Sequence, residues 1–146
     1  MRSPQDIQEA VGPKLRLAGQ RLTPRRRRLV QILVDAEHPM TIPEILRSGK
    51  GLAASSVYRN LAVLEQAGLV RRIVTQQDEF ARFELAEELT EHHHHFVCSS
   101  CGLVRDVPTD PQTEKLLRKL SANLSEGTFT PTGHRVDVVG LCSDCS

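Results

Sequence analysis

The sequence predicts an α+β fold in two unlike parts, a helix-rich first part and a small mixed second part. Three observations carry this. Apolar residues recur at helical spacing as far as Gly68 and then switch to strand-like runs. Residues 1–72 hold 13 Lys/Arg against 6 Asp/Glu, whereas residues 73–146 hold 6 against 12, so a net charge of +1 conceals a basic half and an acidic one. Two Cys-x-x-Cys pairs, Cys98/Cys101 and Cys142/Cys145, bracket most of the second part.

In chain order, Ile7, Ala10, Val11, Leu15 and Leu17 outline an amphipathic helix over residues 5–18, with an interruption expected at Gly12-Pro13. Thr23-Pro24 opens a second helix, Thr as N-cap and Pro at the first position, with Leu29, Ile32 and Leu33 as its apolar stripe and an end near Glu37-His38-Pro39. Thr41-Ile42-Pro43-Glu44 is a capping box for a short third helix reaching about Arg47. Ser55 or Ser56 is expected to cap a fourth, with Val57, Leu61 and Leu64 inward and Gly68 as its stop. Residues 69–74 and 80–85 then read as two strands joined by a loop at Gln76–Glu79. Three helices followed by a β-hairpin make a winged helix-turn-helix.

Residues 86–91 are polar and acidic and read as a linker. Beyond them, 94–98 and 103–107 read as strands, Asp110-Pro111 opens a helix through Asn123, and 134–140 reads as a third strand. A unit of about 55 residues rarely supports its own core, so it calls for a metal staple, a partner copy, or both.

Composition narrows the function. An apolar fraction of 39% with 25% charged residues excludes a disordered chain. No apolar run approaches the ~18–20 residues of a membrane span. No hydrophobic segment follows Met1–Asp6, so a cytoplasmic protein is expected. Neither His-Glu-x-x-His nor the deaminase His-x-Glu with Pro-Cys-x-x-Cys occurs, so no zinc hydrolase, no small organic substrate and no enzyme is expected.

The second helix of a helix-turn-helix enters the major groove. Here it begins Ser55-Ser56-Val57-Tyr58-Arg59-Asn60, whose hydroxyls can approach phosphate and whose Tyr58, Arg59 and Asn60 can reach bases or backbone. Arg21 and Arg25–Arg28 suit phosphate contacts. In the acidic half, four cysteines match the tetrahedral thiolate shell of structural Zn²⁺, with thiol–disulfide exchange as the other reading. All six histidines are His38, His92–His95 and His134. Along an extended segment His93 and His95 face one way and His92 and His94 the other, so one run can serve two metal sites. Glu84, Glu87, Glu88, Glu91, Asp106 and Glu114 are carboxylates near it in sequence.

These residues resemble the ferric uptake regulator family of bacterial metal-responsive repressors. The likeness rests on Leu22-Thr23-Pro24-Arg25, Ser56-Val57-Tyr58-Arg59, the His92–Cys98 run, Cys98-x-x-Cys101-Gly102 and Gly140-x-Cys142-x-x-Cys145, from about residue 20 onward. The resemblance implies a homodimer on a palindromic operator in double-stranded DNA. It implies a winged-helix DNA-binding domain (1–85), a hinge (86–91) and a metal-binding dimerisation domain (92–146) closed by a four-cysteine Zn²⁺. It implies a regulatory centre of His38, Glu84, His93, His95 and Asp106 holding Fe²⁺, Zn²⁺ or Mn²⁺, and a second centre of His92, His94, Glu114 and His134. The expected function is metal-dependent repression of iron or zinc homeostasis genes, with peroxide sensing on the same fold as the alternative. Peroxide-sensing members tend to carry Asp where this chain has Glu84, and the Asp that zinc-sensing members of the actinobacterial type place after the recognition helix is here Gln66.

Overall fold

Ser3 and Asp6 open the first helix with a reciprocal cap: the Asp6 amide donates to Ser3 Oγ and the Ser3 amide to Asp6 Oδ2. The structure, a computed structural model, describes residues 3–36, 38–74 and 81–146. Helix α1 (Pro4–Leu17) runs unbroken through Gly12-Pro13, contrary to the expected interruption. Pro13 lies on the exposed side, so the carbonyl it leaves unbonded is on a solvent-facing turn, while Ile7, Val11, Gly12 and Leu15 hold the opposite face in the core. Leu17 leaves that face and is 91% exposed.

Thr23 caps α2 (Pro24–Asp35), whose Leu29, Val30 and Leu33 are buried. Glu37, where that helix is expected to end, lies outside the described residues. Strand β1 (Met40–Thr41) leads directly into α3 (Ile42–Ser48), where Thr41 and Glu44 form the expected capping box. Helix α4 (Ala54–Gln66) starts earlier than the serines suggest. Its N-cap is Ala53, with no side-chain cap, and Ser55 and Ser56 stand in its first turn. Ser56 Oγ is engaged within the helix instead, accepting from Asn60 Nδ2 at 3.2 Å. Gly68, at φ +66°, reverses the chain after α4.

Strands β2 (Val70–Ile73) and β3 (Arg82–Leu85) pair antiparallel, with Arg71 opposite Glu84. The loop expected at Gln76–Glu79, and Phe80, lie outside the described residues. Strand β1 adds to the free edge of β3, giving the order β1-β3-β2. A two-residue strand is too short to leave a period in the sequence. The apolar faces of α1–α4 and this sheet form one core, in which Leu15, Leu29, Ile45, Leu61 and Leu64 are fully buried.

The stretch after β3 is more firmly held than its acidic composition suggests. The Ala86 amide donates to the Leu69 carbonyl, and Leu89 is fully buried in the same core.

The second sheet has the order β5-β4-β6. Strand β4 (His93–Cys98) pairs antiparallel with β5 (Val104–Pro108) and parallel with β6 (Asp137–Gly140). Between β5 and β6 runs α5 (Pro111–Ser125), capped by Asp110, whose carboxylate accepts from the Gln112 and Thr113 amides. The buried apolar residues here are few: Val97, Cys98 and Val104. Phe96, Leu116, Leu120, Leu124, Phe129, Val139 and Leu141 are exposed. No helix among the described residues is long and apolar enough to cross a membrane.

Candidate metal centres and DNA-facing helix

Cys98 ends β4 in a tight turn, where the Gly102 amide donates to its carbonyl at 3.0 Å and Gly102 takes φ +72°. A matching turn follows Cys142, whose carbonyl accepts from the Cys145 and Ser146 amides. The two turns bring the four Sγ atoms within 4.8 Å of one another. Cys101 and Cys142 are 3.7 Å apart, free thiols rather than a disulfide. That separation matches the ~3.8 Å edge of a tetrahedron with 2.3 Å zinc–sulfur arms. The amides of Cys101, Cys142 and Ser100 pull the Cys98 thiol down to about 6, while crowding by neighbouring sulfurs pushes Cys145 up to about 12, so a cation is needed to hold all four as thiolates. The donor set fits structural zinc.

Strand register builds the second cluster. His95 sits opposite Asp106 of β5 and Asp137 of β6, so all three side chains share a face with His93. From the first sheet Glu84 reaches across, its Oε2 lying 3.1 Å from both His93 Nε2 and His95 Nε2. Asp106 Oδ1 is 3.9 Å from each of the same nitrogens. The outer ring nitrogens are held too: His93 Nδ1 lies 2.9 Å from the Glu91 carbonyl and His95 Nδ1 3.2 Å from Asp137 Oδ1. With a proton kept on Nδ1 by these acceptors, Nε2 is the nitrogen that would give up its proton to a metal ion, which is how metal-binding histidines are oriented. Burial alone would raise the Glu84 carboxyl, but hydrogen bonds from His93, His95 and Arg71 bring it far below the usual range. Glu84 in turn raises His93 to about 9. His38 is half-buried and lines the same cavity as Glu84, His93 and Asp106 without joining the compact group of four.

The opposite face of β4 carries the third cluster. His94 Nε2 is 2.8 Å from Glu114 Oε1 on α5, His134 Nε2 is 3.1 Å from Glu114 Oε2, and His92 Nε2 is 3.2 Å from His134 Nε2. Glu114 Oε2 is buried and makes no hydrogen bond of good geometry. Three imidazoles and a carboxylate with a poorly satisfied oxygen suit a divalent cation of the zinc or iron kind.

Two residues given no role by sequence, Arg71 and Asp137, support these clusters, as does Glu87, one of the carboxylates near the run. Arg71 and Asp137 are each the cross-strand partner of a cluster residue, a relation visible only once the register is known.

On the basic side, Arg21, Arg25, Ser55, Tyr58 and Arg59 are exposed, and Ser56 is partly so. Asn60 is not free. Its Nδ2 donates to the Ser56 carbonyl at 2.8 Å, and its Oδ1 accepts from Arg26 Nε at 3.1 Å. It ties α4 to α2.

Residues 17–138 match the model of the ferric uptake regulator family. The peroxide-responsive repressor PerR of Staphylococcus aureus is 28% identical over 144 residues, covering 96% of this chain and 91% of its own. The ferric uptake regulator of Pseudomonas aeruginosa, solved with manganese, shares 28% identity at a TM-score of 0.69, covering 91% of this chain and 98% of its own. The Helicobacter pylori ferric uptake regulator, described as having three functional metal binding sites, shares the fold at a TM-score of 0.77 and 24% identity, covering 99% of this chain and 94% of its own.

Proposed function

The chain belongs to the ferric uptake regulator family, and from that premise we propose that it is a metal-dependent DNA-binding repressor of metal homeostasis genes, switched at the Glu84–His93–His95–Asp106 cluster. The observation that carries this is the origin of those ligands. Glu84 belongs to the sheet of the winged helix-turn-helix, whereas His93, His95 and Asp106 belong to the second sheet. A bound Fe²⁺, Zn²⁺ or Mn²⁺ supplies the positive charge that makes their convergence favourable. Glu84, His93 and His95 then select the one arrangement of the two sheets that brings their donor atoms together. His38, from the loop after α2, is a further ligand from the DNA-binding side.

The functional units are residues 1–85, which read DNA, and 92–146, which dimerise and hold zinc on Cys98, Cys101, Cys142 and Cys145. The hinge lies within 86–91. Because Leu89 is anchored in the first core, the pivot is Thr90–Glu91. The protein works as a homodimer on a palindromic operator in the cytoplasm, as a regulator and not a catalyst. Arg21 and Arg25 contact phosphate, and Ser55, Ser56, Tyr58 and Arg59 enter the groove. His92, His94, Glu114 and His134 hold a second ion within the dimerising unit.

The test is binding of operator-type DNA by the purified chain, first with chelator and then with each metal added anaerobically. Binding should need metal and be lost in His93→Ala. Binding indifferent to metal would sink the proposal. The likeness to a peroxide-responsive repressor favours one second reading, in which the same centre promotes oxidation of its own histidine by peroxide. A one-oxygen mass gain at His38 or His93 after peroxide treatment would support it.

A further inference from the structure

Each of two carboxylates between the histidine clusters divides its oxygens between a cluster and one arginine. Glu84 gives Oε2 to His93 and His95, and gives Oε1 to Arg71 Nε at 2.9 Å and Nη2 at 2.5 Å. Glu87 gives Oε1 to Arg71 Nη1 at 3.0 Å and Oε2 to His92 Nδ1 at 2.9 Å. The other nitrogen of His92 faces His134 in the second cluster. A continuous chain of charge-assisted hydrogen bonds therefore runs His92–Glu87–Arg71–Glu84, from one cluster to the other. We propose that Arg71 and Glu87 are positioning residues that couple the two histidine clusters, so that filling the His92–His94–Glu114–His134 cluster raises the affinity of the Glu84–His93–His95–Asp106 cluster. This rests on the reading of both clusters as metal centres.

The direction follows from the imidazole. When His92 is held through Nε2, its ring is fixed and Nδ1 is left as its one donor, aimed at Glu87 Oε2. Glu87 is then held in place and keeps the Arg71 fork in the plane that grips Glu84 Oε1. That leaves Oε2 already aimed at His93 and His95, so less ordering remains for binding there to supply. Linkage makes the effect reciprocal. Arg71 and Glu87 bind no ion in this scheme. They act through Glu84 and His92.

The experiment is anaerobic Co²⁺ titration of the full-length, zinc-loaded chain against a competing chelator, with the absorption bands of the two centres followed separately. In the wild type, His134→Ala should weaken the Glu84-containing centre about 5-fold or more. In a Glu87→Ala background, and again with Arg71→Gln, the same His134→Ala change should leave that centre's affinity unaltered while Co²⁺ still binds there. An equal effect of His134→Ala with and without Glu87 would overturn the relay, because the coupling would then travel along β4 itself. So would no effect in the wild type. Failure of Co²⁺ to bind beyond the cysteine site would instead remove the metal-centre reading, and the relay with it.

Discussion

His93 is the residue where charge, geometry and hinge meet. Glu84 accepts its hydrogen bond and stays ionised, which raises His93 to about 9. The pair's pH dependence has a definite sign. The folded-state value of His93 is raised from 6.5, so its stabilisation is complete below about 6.5 and is lost as pH rises through about 9. The Glu84 value is depressed, so its share is present above the ordinary carboxylate range and lost as pH falls well below it. With only the four-cysteine zinc bound, His93→Gln should therefore cost about 1–2 kcal/mol near pH 6, a partly exposed charged pair, and almost nothing by pH 9.5. Urea unfolding of both proteins across that range checks it, and a constant difference would contradict the ion-pair account. Protonated His93 also competes with a metal ion for the same lone pair, so affinity at this centre should climb with pH over the same interval.

At the scale of the element, α4 illustrates what sequence can and cannot reveal. Its existence, its inward Val57, Leu61 and Leu64 and its stop at Gly68 were legible, because apolar period and a left-handed glycine are local properties. The cap and the role of Asn60 were not, since both depend on where α2 lies. From the sequence Asn60 is a groove-facing polar residue, yet Arg26 and Ser56 occupy its amide. The same division holds at β4. Alternation alone predicts two faces for the histidine run, and the register bears it out. The partners Arg71 and Asp137 needed the pairing of β2 with β3 and of β6 with β4. The expected break in α1 is absent because Pro13 faces water, which solvates the carbonyl it leaves unbonded. Asn60→Ala should thus behave as a stability change of about 1 kcal/mol, seen in thermal or urea unfolding, with the ranking of operator variants unchanged in binding assays. Loss of discrimination at a single base position without loss of stability would restore Asn60 as a base reader.

Across the whole molecule, the two cores differ in how they close. The first closes on its own, with aliphatic side chains from four helices packed on one sheet. The second buries few apolar side chains and exposes Leu116, Leu120 and Leu124 at successive turns of α5, alongside Phe96 and Val139. In the proposed homodimer a second copy covers this apolar surface, and the cysteine staple joins β4 to the segment after β6. These two supports stand in a definite order. Structural zinc contributes on the order of 10 kcal/mol, far more than so small a core supplies. The zinc should therefore be a precondition for the dimer, and the dimer no precondition for the zinc. Cys101→Ser should release the ion to a chromophoric chelator and leave monomers in sedimentation equilibrium, with the second unit unfolding at lower temperature. Leu120→Glu should also give monomers, but with one tightly held zinc per chain. A Cys101→Ser protein that stays dimeric, or a Leu120→Glu protein that loses its zinc, would reverse that order and make subunit contact, rather than metal, the element on which the second unit folds.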